Sequence, residues 1–227
     1  MRTPIASKSW KTRVGVLALA LTMAGPVLGS ASAAGAAPDS TAVFHFKGRA
    51  GSAVLTDCSL SAPVGTQCRA VDVFAFEQRV NNDGDKTGTG PQVQVTLYAV
   101  TITAVEPFFD AVPIGFGFTS NATVKINGSL AKGAARAEVV PLCDFGCDPS
   151  SPASIALTVE WTGFGPTGKF GFHDKFRDEF CFVNSRNGFT DRAANATGTV
   201  DGVAFVVPVG FQAFLQSDSS GAVQHCA

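Results

Sequence analysis

From Thr41 onward the chain alternates apolar and polar residues in short runs. The clearest is Ile155, Leu157, Val159 and Trp161, set against Ala156, Thr158, Glu160 and Thr162. A period of two sends successive side chains to opposite faces of an extended strand, so Trp161 is expected to point into a core rather than to form a sugar-stacking platform. Phe44 and Phe46 alternate in the same way against His45 and Lys47 across Thr41–Lys47, which predicts a strand with His45 on the solvent side. Gly51–Thr56 and Arg69–Val80 read as the next two strands. Phe74, Phe76 and Asp72 share a face of the second, with Asp72 near enough to the strand start to escape burial. Asn81–Gly90 reads as a polar hairpin tip, and Gln92–Val105 as the longest strand. Its inward parity changes from Val93, Val95 and Leu97 to Val100 and Ile102, so either a bulge shifts the register or both faces are covered.

Ile114–Thr119 and Val124–Ile126 flank a turn at Ser120-Asn121. Ala131–Leu142 fits a short helix or a strand, and Ala193–Val200, Val203–Val207 and Gly210–Leu215 close the chain as strands. Twenty-four glycines and twelve prolines punctuate these runs. The expected fold is all-β, an antiparallel β-sandwich or open barrel of about ten or more strands. Residues 41–227 are expected to form one domain, preceded by a disordered Ala/Gly/Pro/Ser tail at 34–40.

The first 33 residues have the form of a signal peptide: Arg2, Lys8, Lys11 and Arg13, then apolar Val14–Met23, then Ala31-Ser32-Ala33 as a cleavage site. The apolar run is too short for a spanning helix of roughly 20 residues, and Gly25-Pro26 ends it. A secreted, extracellular protein is therefore expected, with no membrane span after cleavage. Removing four of the 17 cations leaves 13 against 18 acidic groups, a net charge of −5. With no run of Lys or Arg, the sequence offers no basic footprint for nucleic acid or an anionic membrane, and the expected partner is an extracellular one or a glycan. An exported chain with six cysteines is expected to pair them as disulfides. Spacing suggests the local set Cys58–Cys68, Cys143–Cys147 and Cys181–Cys226. Zinc is the weaker reading, because Cys143-Asp-Phe-Gly-Cys147 has no nearby His.

Phe170, Phe172, Phe176, Phe180 and Phe182 occupy even positions, and a continuous strand places Asp174 and Asp178 on that same face. Buried there, a carboxylate would have its pKa raised, as a general acid requires. A turn at His173-Asp174-Lys175, with Asp178 paired to Arg177, Arg186 or Arg192, is the preferred reading. A short helix with a Phe172/Phe176/Phe180 stripe is a second alternative. The candidate catalytic carboxylates are thus Asp174, Asp178, Glu179 and Glu160. A Ser/His/Asp mechanism lacks a Gly-x-Ser-x-Gly, and His173 and Asp174 face opposite ways on a strand. His45, His173 and His225 read as surface residues. Asn81, Asp83 and Asp85 have the spacing that opens a calcium loop, but Lys86 stands where that loop needs glycine and no Glu follows at its twelfth position, so no cofactor or metal is expected.

Trp161-Thr-Gly-Phe-Gly, Arg192-Ala-Ala and Gly198-Thr-Val-Asp-Gly202 resemble secreted β proteins of actinobacteria that have no assigned activity. The resemblance covers the C-terminal third, implies an exported β-fold and carries no catalytic residue across. The functional expectation is a non-catalytic extracellular binding or structural module. One alternative is a secreted hydrolase using the carboxylates near Asp174 and Asp178, and another is an inhibitor or effector presenting the Cys143–Pro152 loop.

Overall fold

A computed structural model describes residues 40–59, 61–82, 85–104, 109–142, 154–177, 179, 181–208 and 211–226, all within the unit Pro38–Ala227. Eleven strands carry nearly all of this chain: β1 (Ser40–Thr56), β2 (Gln67–Asn82), β3 (Asp85–Ile102), β4 (Phe109–Thr119), β5 (Ala122–Ile126), β6 (Lys132–Val139), β7 (Ile155–Gly163), β8 (Gly168–Arg177), β9 (Cys181–Val200), β10 (Val203–Val206) and β11 (Ala213–Cys226). Every pairing is antiparallel, in the order β4-β3-β2-β1-β10-β9-β7-β6-β5, with β11 between β1 and β9 and β8 on the far side of β9. The pairings β1–β11, β11–β9, β9–β10 and β10–β1 close on themselves as a small barrel. The wings fold over to meet, with β5 against β2 and β3, and Leu142 donating its amide to the Phe116 carbonyl of β4 at 2.6 Å. The all-β antiparallel expectation is thus met.

The alternation read in the sequence explains the core. Ile155, Leu157, Val159 and Trp161 of β7 turn inward to meet Val71 and Val73 of β2, Val93 and Val95 of β3, and Leu215 of β11. Trp161 is 1% exposed, its indole Nε1 donates to the Ser52 carbonyl at 3.1 Å, and its ring lies over Gly51, where an added Cβ would stand 3.1 Å away. The parity change in β3 comes from burial on both faces. Val93, Val95 and Leu97 enter the barrel core, while Val100 and Ile102 pack outside it with Cys68, Ala70 and Tyr98, beside the Cys58–Cys68 disulfide. The β2–β3 register runs unshifted through this region, and the irregularity at Leu97/Tyr98 is in the pairing with β4.

Several boundaries differ from expectation. The first two predicted runs are one strand of 17 residues, because Gly48 and Gly51 continue the β1 ladder. Asn81–Gly90 is mostly strand: β2 runs to Asn82 and β3 begins at Asp85. Ala131–Leu142 contains β6 and no helix, with Gly133, Ala135 and Val139 facing inward. His173-Asp174-Lys175 is neither a turn nor helical, since β8 pairs with β9 without interruption from Gly168 to Arg177. Asp72 sits mid-strand rather than at the start of β2. It is half-buried on the outer face shared with Phe74 and Phe76, and burial raises its carboxyl above the usual range.

Candidate binding surface

The N-terminal half of β1, the ends of β2 and β11, the first half of β9 and all of β8 continue past the barrel as a projecting antiparallel sheet. The barrel ends where inner-face residues change character at one level across neighbouring strands. Ala53 and Leu55 give way to Arg49 and Lys47 in β1, Val73 and Ala75 to Glu77 and Arg79 in β2, and Leu215 to Ser217 in β11. In β9 the change comes one inner-face position earlier, Ala194 giving way to Arg192 opposite Leu215. An apolar core cannot continue over such positions, because charged groups keep water. The turn after β5 seals the mouth instead. Arg49 Nη1 donates to the Ile126 carbonyl at 2.9 Å and stands 3.7 Å from Glu77, and Arg192 Nη1 donates to the Ser129 carbonyl at 3.4 Å. Leu130, with a left-handed φ of 54°, tucks its fully buried side chain beneath them.

Beyond that mouth the usual polarity of a sheet on a core is reversed. Cross-strand register places Phe44 and Phe46 of β1, Phe189 of β9 and Phe170, Phe172 and Phe176 of β8 on the outer face. Phe170, Phe172 and Phe176 are 66%, 50% and 61% exposed, and every residue of β8 is exposed. Asp218 lies on this face level with Phe189, and burial there raises its carboxyl, partly offset by a hydrogen bond from Gln216. The inner face is cationic instead: Lys47, Arg79, Lys169, Lys175, Arg177 and Arg186 all face that way and all are exposed.

Of the candidate carboxylates, Asp174 and Glu160 stand far apart. Asp174 is exposed on β8 opposite Ser185, and Glu160 is exposed on β7 opposite Thr197. The twelve residue steps of β9 from Ser185 to Thr197 span about 40 Å of strand. Glu160 instead borders an open depression of about 700 Å³ with Lys132 and the Arg49–Glu77 ion pair. Glu179 is exposed between β8 and β9, and Asp178 lies outside the described residues. Asp174, on the phenylalanine face, is exposed rather than buried. His173 and Asp174 face opposite ways, as expected, and His173 Nε2 meets Asn184 Oδ1. His45, His173 and His225 are all exposed.

Of the calcium candidates, Asn81 pairs with Lys86 inside the β2–β3 ladder, Asp85 pairs with Asn82, and Asp83 lies outside the described residues. Among the described residues, Asp57, Cys58 and Cys68 alone gather three ligand atoms at metal-binding spacing, but the two sulfurs are joined to each other and offer no thiolate. Two of the expected disulfides are present. Cys58–Cys68 fastens the loop before β2, and Cys181–Cys226 crosses β9 and β11 at the far end of the projecting sheet. Cys143 and Cys147, and with them the Cys143–Pro152 loop, lie outside the described residues.

The molecule is therefore a disulfide-stabilised all-β protein of the kind suited to an oxidising compartment. Comparison of the chain with protein-family models, curated proteins and solved structures returns no match.

The cationic face escaped the sequence reading because each strand contributes one to three cations at alternating positions, never as a run. Parity within each strand was readable. Which strands stand side by side, and in what register, was not.

Proposed function

We propose that this is an exported, non-catalytic binding module whose projecting sheet is its interaction platform. One observation carries this reading: β8 is an edge strand exposed along its whole length, with three phenylalanines open to solvent on one face. Contiguous exposed aromatic surface is costly to hydrate and marks sites of association. Asp174 between Phe172 and Phe176, and Asp218 on the same face, suit a mixed extracellular surface better than a lipid core. The two disulfides support export, as do the leader and the resemblance to secreted actinobacterial β proteins. The separation of Asp174 from Glu160 weighs against the hydrolase alternative.

The test is co-sedimentation of the purified full chain with insoluble envelope material from the producing cells. The native protein is expected to pellet without releasing soluble fragments. The variant Phe170→Ser/Phe172→Ser/Phe176→Ser is expected to fold and stay in solution. Equal pelleting of the two, no pelleting of either, or steady release of soluble fragments overturns the reading.

A further inference from the structure

We propose that the inner face of the projecting sheet binds an anionic polysaccharide, one bearing sulfate or carboxylate groups. This deepens the binding-module reading and rests on it.

Six exposed cations from four strands point to this face, and among the described residues of these strands the one carboxylate sharing it is Glu77, already held by Arg49. The charges are not balanced against one another. Lys47 of β1 stands directly opposite Arg79 of β2. Like charges in directly opposed positions oppose sheet formation, so a fold that keeps such a pair gains when a counter-charge comes from outside.

Protection of an edge explains only some of these cations. Lysines on an edge strand discourage pairing with another sheet, which accounts for Lys169 and Lys175 on β8. Lys47, Arg79 and Arg186 belong to strands paired on both sides, where no edge needs guarding.

The ground between the cations is flat. Ser219 and Gly221 of β11, Gly188 of β9 and Gly171 of β8 occupy the inner-face positions between Lys47 on one side and Arg186, Lys169 and Lys175 on the other. At about 4.8 Å between strands, β1 and β9 stand about 10 Å apart across β11. An extended polymer lying on this floor has cations along both flanks, with the exposed His45 ring resting against Gly221.

The position of the aromatics selects the class of polyanion. Single-stranded nucleic acid is held by bases stacked on aromatic rings beside a basic groove. Here Phe170, Phe172, Phe176 and Phe189 lie on the opposite face of the same sheet, and among the described residues of these strands the cationic face carries one phenylalanine, the half-buried Phe182 opposite Arg177 at the far end of β9, too few for a row of stacked bases. A glycan polyanion needs only charge and a smooth floor, and it is a polymer of the oxidising exterior to which the disulfides point.

The test is binding of the full chain to fluorescent dextran sulfate, with uncharged dextran and a DNA duplex as further arms. Dextran sulfate is expected to bind with a steep salt dependence, and uncharged dextran not to bind. Arg79→Glu/Arg186→Glu is expected to weaken binding at least tenfold, while the control Lys125→Glu/Lys132→Glu, on β5 and β6, changes it less than twofold. Thermal melting establishes that both variants fold. No binding of dextran sulfate, equal losses in the two variants, or tighter binding of the DNA duplex overturns the proposal. Loss of dextran sulfate binding as an activity, with phenylalanine-dependent envelope pelleting intact, would leave the binding-module reading standing.

Discussion

Replacing Arg79 by Glu separates the register of the projecting sheet from its use. Arg79 and Lys47 are cross-strand partners on β2 and β1, on the same face and both exposed. Directly opposed side chains have Cβ atoms about 5 Å apart, and two unit charges about 6 Å apart in water repel by roughly 0.7 kcal/mol before screening. At physiological salt the Debye length is about 8 Å, which leaves about half of that. Arg79→Gln removes the repulsion, and Arg79→Glu turns it into an attraction. The expected gains are about 0.3 and 0.7 kcal/mol, or about 1 and 2 °C in melting temperature for a domain of roughly this size. The assay is calorimetry of the native chain and both variants at low and at high salt. The order Glu above Gln above native at low salt, converging at high salt, is the expected result. A drop in melting temperature for Arg79→Glu, or a change indifferent to salt, refutes the opposition of Lys47 and Arg79. A residue whose removal stabilises the fold while weakening polyanion binding is one kept for its function.

Trp161→Ala should cost about 3–5 kcal/mol in urea unfolding, because it opens the barrel centre. Trp161→Phe should cost about 1–3 kcal/mol through the Ser52 carbonyl it leaves unpaired; a near-neutral Trp161→Ala would deny the core position. Breaking Cys181–Cys226 by Cys181→Ser/Cys226→Ser releases a loop with a sequence separation of 45. Loop entropy puts the loss at about 4 kcal/mol, and hydrogen exchange should rise first in β9 and β11; loss confined to the barrel would contradict its placement. Asp72→Asn should raise stability at neutral pH. Burial lifts this carboxyl above its ordinary 3.8, so its favourable contribution is complete below that value and is lost as pH rises through the folded pKa. The advantage of Asn over Asp should therefore vanish in melts at or below pH 3.8, and an advantage that grows on acidification would reverse the assignment.

The parts of the fold that were readable in the sequence are those set by parity within one strand. Ile155 to Trp161 declared their inward face, and the change of parity between Leu97 and Val100 left a choice between a bulge and burial on both faces of β3 that only the packing of Val100 and Ile102 decides. Phe170, Phe172, Asp174 and Phe176 do share a face, as their spacing requires, but spacing alone does not say whether that face meets a core or water. In β7 the apolar face is buried, and in β8 it is open, because β9 carries β8 beyond the level where Arg49, Glu77 and Arg192 end the barrel. The glycines of β1 looked like breaks and instead continue a ladder, with Gly51 giving Trp161 the room its ring needs. The cationic face depends on the neighbours and register of four strands, and no single stretch of chain encodes it.

The most direct test of the two-faced sheet is lysine acylation followed by peptide mapping, with and without saturating dextran sulfate. Lys47, Lys169 and Lys175 should lose reactivity on binding, while Lys125 and Lys132, on β5 and β6, keep theirs. Protection spread evenly over all five, or confined to Lys125 and Lys132, would contradict the account.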